Sequence, residues 1–203
     1  MAESDFWYAQ LREEGRTRQF KRGERLFLQG FGRGKVLIIH SGTLRITGTT
    51  FDGEEVTLAL CREGDIVGSH SALTGGPVGA GAEAIEDGSA TILTADRYVE
   101  LLSASPELMI DEIRDLIAML HNAEERLIDI ATEDVDARIA RQLRRLCRDR
   151  ATPVALPLTQ TDLASMVGAA RATVAPVLAD LRERGAISTA RGQIIVENLD
   201  ALG

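Results

Sequence analysis

The chain has 203 residues, of which 44% are hydrophobic, which is apolar material enough for one medium core or two small ones. Its formal net charge of -8 excludes adhesion to nucleic acid or anionic lipid through bulk charge, so any contact with DNA has to be local. Cys61 and Cys147 are the only cysteines and form no CxxC or Cys/His motif, which excludes a disulfide scaffold, a zinc ribbon and a cysteine-ligated iron–sulfur cluster within one chain.

Residues 18–95 read as short strands broken by glycine turns, at 25–29, 36–40, 43–49, 55–61, 65–69 and 90–94. Ser41-Gly42, Asp52-Gly53 and Glu63-Gly64 supply the turns. Many short strands with such punctuation predict a barrel or sandwich. The run at 75–81, GGPVGAG, has little to pack and is expected to be a loop.

Ser105-Pro106-Glu107 is a helix start: a serine N-cap, a proline where its missing N–H costs nothing, and a carboxylate near the positive end of the dipole. Met109, Ile113, Leu116, Leu120, Ala123, Leu127 and Ile130 then recur at alternating spacings of four and three, a heptad seam. Glycine and proline are absent from 107–150, so the helix is expected to run to about Thr132, roughly 40 Å at 1.5 Å per residue. The seam either packs on its own barrel or pairs with a second copy, and its strict spacing over three repeats favours the pair. Asp134 is placed to cap a second helix from Val135 to about Arg148, making 132–134 a candidate hinge. Arg138, Arg141, Arg144, Arg145, Arg148 and Arg150 concentrate positive charge just before residue 151.

The last fifty residues hold a capping-box start at Thr159-Gln160-Thr161-Asp162, a short helix closed by Gly168, and a second helix from about Ala170 to Gly185. The second helix turns Val174, Val177, Leu178 and Leu181 inward. A hairpin of 187–189 with 194–197 follows across Arg191-Gly192, completing a winged helix-turn-helix.

Gly23-Glu24, Gly42, Gly64-Asp65 with Gly68, the seam helix, Asp134-Val135 leading to Arg138-Ile139-Ala140, and Leu163-Ala164 with Gly168, Arg171, Thr173, Val174 and Leu178 stand in a specific order. In that order the chain resembles the Crp-Fnr family of bacterial transcription factors over nearly its whole length. The resemblance implies an α+β fold: an antiparallel β-roll of cupin-like jelly-roll type at 1–104, a dimerisation helix at 105–133 and a winged helix-turn-helix at 134–203. It also implies a homodimer on double-stranded DNA, a near-palindromic operator and RNA polymerase as a partner. Arg171 falls where the family places a base-reading arginine, whose guanidinium can bond guanine O6 and N7 together. Thr173, Thr159 and Gln160 match phosphate-contacting or neighbouring positions, and Arg191 on the wing is placed to add a backbone contact. The family's acidic reader is Ala172 here and its second arginine is Pro176. A proline there predicts a recognition helix that starts late, with Thr173 as its cap, or is kinked.

In cyclic-nucleotide-binding relatives the cassette after the position of Gly68 supplies a glutamate and an arginine. Here the matching residues are Ser69 and the base-free run 75–81, and no Lys or Arg occurs from Glu63 to Asp96. The helix positions that usually face adenine read Ala123-Glu124. A cyclic phosphate would lack a cationic partner, so cAMP is disfavoured. The alternative is a haem- or other small-ligand-gated regulator in which His70 aligns with the haem-ligating histidine of the carbon-monoxide-sensing branch, although that branch's cysteine ligand is Gly68 here. The effector candidates are therefore Gly68, Ser69, His70, Ala123 and Glu124, with no metal site. The motifs GxSxG, HExxH and the P-loop are absent, so no enzyme is expected. The lack of an apolar leader or long apolar run points to a cytoplasmic protein without a membrane partner.

Overall fold

The computed structural model describes residues 11–30, 34–148 and 150–203. In β3 (Lys35–Ser41), Val36 and Ile38 face one way and Leu37 and Ile39 the other, and all four are buried, so this strand needs cover on both faces. One cover is a second sheet. β1 (Arg16–Phe20), β6 (Ile66–Val67) and β8 (Gly88–Thr94) join β3 in the order β1-β8-β3-β6. β2 (Arg25–Phe27), β4 (Leu44–Thr49), β5 (Glu55–Cys61) and β7 (Gly81–Ala84) form the other sheet in the order β2-β7-β4-β5, again with antiparallel pairing. Phe20, Leu37, Ile39 and Ala90 of the first sheet share a core with Phe27, Leu44, Ala82 and Ala84 of the second. The other cover is helical: α1 (Ser69–Thr74), α2 (Ala95–Ala104) and the start of α3 (Pro106–Thr132) bring Ala72, Tyr98, Leu102 and Leu108 onto Val36, Ile38 and Leu93. This is the expected β-roll followed by the expected long helix.

Local chemistry sets the helix starts. Thr94 accepts from the Arg97 N–H at 3.2 Å to open α2, and the Ser105 hydroxyl accepts from the Leu108 N–H at 3.3 Å to open α3. The two helices are tied by Tyr98, whose buried hydroxyl donates to the buried Glu112 carboxylate at 2.6 Å. At Gly88 the roll closes so tightly that a Cβ would overlap the Ser41 carbonyl and lie 2.5 Å from the Phe20 ring. Gly88→Ala is expected to cost about 2–3 kcal/mol of stability through overpacking, read as a lower urea midpoint. An unchanged midpoint would mean that the strands part there without penalty.

The second compact unit begins at Leu120, so the division falls inside α3. After α3 come α4 (Val135–Leu146), β9 (Val154–Leu156), α5 (Gln160–Met166), α6 (Arg171–Glu183), β10 (Ile187–Ala190) and β11 (Gln193–Val196). The strands pair in the order β10-β11-β9, and Ile139, Leu143, Leu163, Val174, Leu178, Ile194 and Val196 are all buried. Helix, turn, helix and wing are arranged as expected.

Several details differ from expectation. The strand expected at 65–69 is only Ile66–Val67, because Gly68 at φ 98 turns the chain into α1. Gly81, expected to end a loop, instead opens β7, whose small Ala82 and Ala84 point into the core. Asp134 stands at the N-cap of α4, but its side chain makes no capping hydrogen bond. The late start of the recognition helix is also overturned: the Thr173 and Val174 N–H groups both donate to the Ala170 carbonyl, so α6 begins at Arg171 and Ala170, not Thr173, is its cap. Pro176 lies inside α6 and removes the bond that residue 176 would donate to the Ala172 carbonyl.

Candidate nucleic-acid interface

The helix-turn-helix is built from its caps. Thr159 accepts from the Asp162 N–H at 3.2 Å while the Asp162 carboxylate accepts from the Thr159 N–H and hydroxyl at 2.7 and 2.6 Å, the reciprocal box expected of this sequence. Thr159 is exposed and Gln160 half-buried at the first residue of α5. Gly168 then takes φ 63, and this left-handed turn points the chain into α6.

α6 buries Val174, Leu178 and Leu181 and exposes Arg171, Ala172, Thr173 and Pro176, with Val177 half-buried. Arg171 is the first helical residue and is exposed. Arg191 is exposed between β10 and β11 at the tip of the wing. Other arginines of this unit are already engaged: Arg141 and Arg145 with Asp129, Arg184 with Asp180, Arg138 with the Val167 carbonyl. Among the described residues no ion pair holds Arg171 or Arg191, so both charges are available to an incoming anion. Arg171 and Thr173 are both exposed in the first turn of α6, with Thr159 and Gln160 at the start of the neighbouring helix.

Along α3, the seam stays uncovered. Met109, Ile113, Leu120, Leu127 and Ile130 are between 42% and 68% exposed, Ala123 is exposed and Leu116 is half-buried. Ile110, Ile117, Met119 and Ile128 are exposed as well and were absent from the heptad reading. Ile110 and Ile117 form a second row with Ile113 and Leu120 at the same alternating spacing, and that overlap was the available signal. Ile130 also packs inside its own chain, since a Cβ on Gly168 would lie 3.1 Å from its Cδ1.

The β-roll cassette contributes residues to its own core. Val78 is buried among Phe27, Leu37, Leu44, Val67 and Ala82, and its carbonyl accepts from the Gly30 N–H at 2.8 Å. Ser69 and Ser71 are buried, and the Ser71 hydroxyl donates to the Gly68 carbonyl at 3.0 Å. His70 is exposed on α1, whereas Ser69, Ser71 and Ala72 form the buried side of that helix. Ala123 and Glu124 are exposed and belong to the other compact unit. Burial, reinforced by the nearby Asp65 carboxylate, pushes the Cys61 thiol up to about 12, so it is no thiolate at neutral pH. The described residues contain no group of three His, Cys, Asp or Glu side chains able to hold a metal ion, and none of their helices is long and apolar enough to cross a membrane.

A jelly-roll β domain, a long helix and a winged helix-turn-helix with a free arginine at the recognition helix define a class of DNA-binding regulators. Comparison with known proteins specifies it further. Residues 17–105 match the cyclic nucleotide-binding domain and residues 137–203 the Crp-like helix-turn-helix domain. The chain is 30% identical to the global nitrogen regulator of Nostoc sp., with 87% of this chain and 83% of that protein covered. It is also 30% identical to the CRP-like cAMP-activated global transcriptional regulator of Mycobacterium tuberculosis, covering 90% of this chain and 84% of that one. A solved CRP/FNR family transcriptional regulator from Thermus thermophilus superposes with a TM-score of 0.73 at 27% identity, over 92% of this chain and 96% of the other. The c-di-GMP responsive regulator CLP of Xanthomonas campestris shares the fold at a TM-score of 0.78 and 18% identity, over 96% and 100%. The chain belongs to the Crp/FNR family and is a DNA-binding transcription regulator of that type.

Proposed function

We propose that the protein is a homodimer that pairs along the exposed face of α3 and reads a near-palindromic operator without cyclic nucleotide. Arg171 enters the major groove and reads guanine in each half-site. Thr173, Thr159, Gln160 and Arg191 hold the DNA backbone and set the register. The domains act as a β-roll at 1–104, a pairing helix at 105–133 and a reader at 134–203, in the cytoplasm and with RNA polymerase as the downstream partner. The observation that carries this reading is the exposed, ion-unpaired Arg171 at the first residue of a helix that Val174, Leu178 and Leu181 anchor in the core.

Independence from cAMP is supported by Val78, which occupies the cassette loop as a core residue, and by the absence of Lys and Arg from Glu63 to Asp96. Footprinting on the DNA upstream of its own reading frame tests the dimer. Two protected half-sites about one helical turn apart are expected. A single protected half-site would contradict paired reading.

A further inference from the structure

α3 and α4 meet at the short connection Glu133-Asp134, which sequence reading treats as part of a hinge. The side chains across it tell against free movement. Asp129, 5% exposed near the end of α3, accepts from Arg141 at 2.5 Å and from Arg145 at 2.7 Å, both on α4. Glu133 accepts from Arg141 at 2.7 Å, and Glu125 pairs with Arg145 at 3.2 Å. Burial alone would raise the Asp129 carboxyl, but the hydrogen bonds and charges of Arg145 and Arg141 more than offset it and hold it below the usual carboxylate range. Opening the elbow would break three charge-assisted hydrogen bonds at once, two on Asp129 and one on Glu133.

The same elbow grips the helix-turn-helix. Arg138 of α4 donates through Nη1 to the Val167 carbonyl at 2.7 Å, at the turn leading into α6. Ile130 of α3 packs on Gly168 in that turn. The second compact unit accordingly starts at Leu120, twelve residues before the expected hinge.

We propose that Asp129 is a positioning residue for operator reading: with Arg141 and Arg145 it braces the elbow, so that the last turns of α3 and the recognition helix move as one body. The 132–134 segment is then a rigid corner rather than a joint, and whatever displaces α3 beyond Leu120 is transmitted to Arg171. This rests on the reading of α6 as the operator-contacting helix.

The test compares full-length wild type, Arg141→Gln, Arg141→Lys, Asp129→Asn and Arg171→Ala. Each is titrated with operator and with scrambled DNA over a salt series, and amide exchange is followed at Glu133 and Arg138. Arg141 is 45% exposed at its side chain and Arg145 still pairs with Asp129 in its absence, so Arg141→Gln is expected to keep the fold even if Asp129→Asn does not. The brace predicts that Arg141→Gln lowers the operator-to-scrambled affinity ratio roughly fivefold or more, the usual span of site coupling. Binding to scrambled DNA and its salt slope stay at wild-type values, the Glu133 and Arg138 amides exchange faster, and Arg141→Lys restores much of the ratio. A merely structural residue would instead lower both affinities together. A wild-type ratio and wild-type exchange in Arg141→Gln, beside a collapsed ratio in Arg171→Ala, overturn the brace and leave the reading helix in place. A wild-type ratio in Arg171→Ala overturns the reading on which the brace rests.

Discussion

Arg171→Ala is expected to lower operator affinity roughly 30-fold to 20,000-fold while leaving the fold intact. One bidentate arginine–guanine contact is worth about 1–3 kcal/mol of discrimination, and two half-sites double it to about 2–6 kcal/mol. Arg171 is exposed and, among the described residues, carries no ion pair, so its loss should change stability by no more than about 0.5 kcal/mol. Competition between operator and scrambled DNA checks the result, because the loss should fall on the operator alone. An alanine variant that keeps its preference for the operator would move base reading to another residue.

The second large effect is expected from Leu120→Asp. Leu120 is 55% exposed in the single chain, in the middle of an apolar face that also holds Ile113, Ile117 and Leu127, so a carboxylate there is harmless to the monomer. In a paired seam it would meet its own copy in a water-poor interface, where an uncompensated charge costs several kcal/mol. Sedimentation equilibrium should show a folded monomer, and operator affinity should fall at least about 100-fold because the two readers are no longer linked. A variant that remains dimeric would place the interface on another surface.

The sequence was most readable where a periodic pattern and a cap coincide. The Ser105 cap and the uninterrupted seam gave a helix ending at Thr132, where α3 does end, and Thr159 with Asp162 form the capping box their spacing implies. Less readable were elements whose order comes from distant partners. β7 is Gly81-Ala82-Glu83-Ala84, residues of weak strand preference, and it is a strand because β2 and β4 flank it. α1 spans six residues, too few for periodicity to register, and follows a glycine whose φ of 98 no local pattern announced.

The same distinction applies to the candidate interface. Arg171, Thr173 and Arg191 could be found because motif order and turn chemistry placed them on exposed positions, and each is exposed. Pro176 is a poor guide to where the helix starts, because the Ala170 carbonyl secures the first turn before the proline is reached. Asp129 offered no signal: its partners lie 12 and 16 residues away, and only the α3–α4 elbow brings them together.

The central claim is that this regulator reads its operator unaided. Fluorescence anisotropy of the untreated protein on the DNA upstream of its own gene, with scrambled competitor and then added cAMP, tests it directly. Tight, sequence-specific, salt-sensitive binding before any addition, unchanged by cAMP, is the predicted result. Binding that becomes specific only after the cyclic nucleotide is added would contradict it and would require the cassette around Val78 to open.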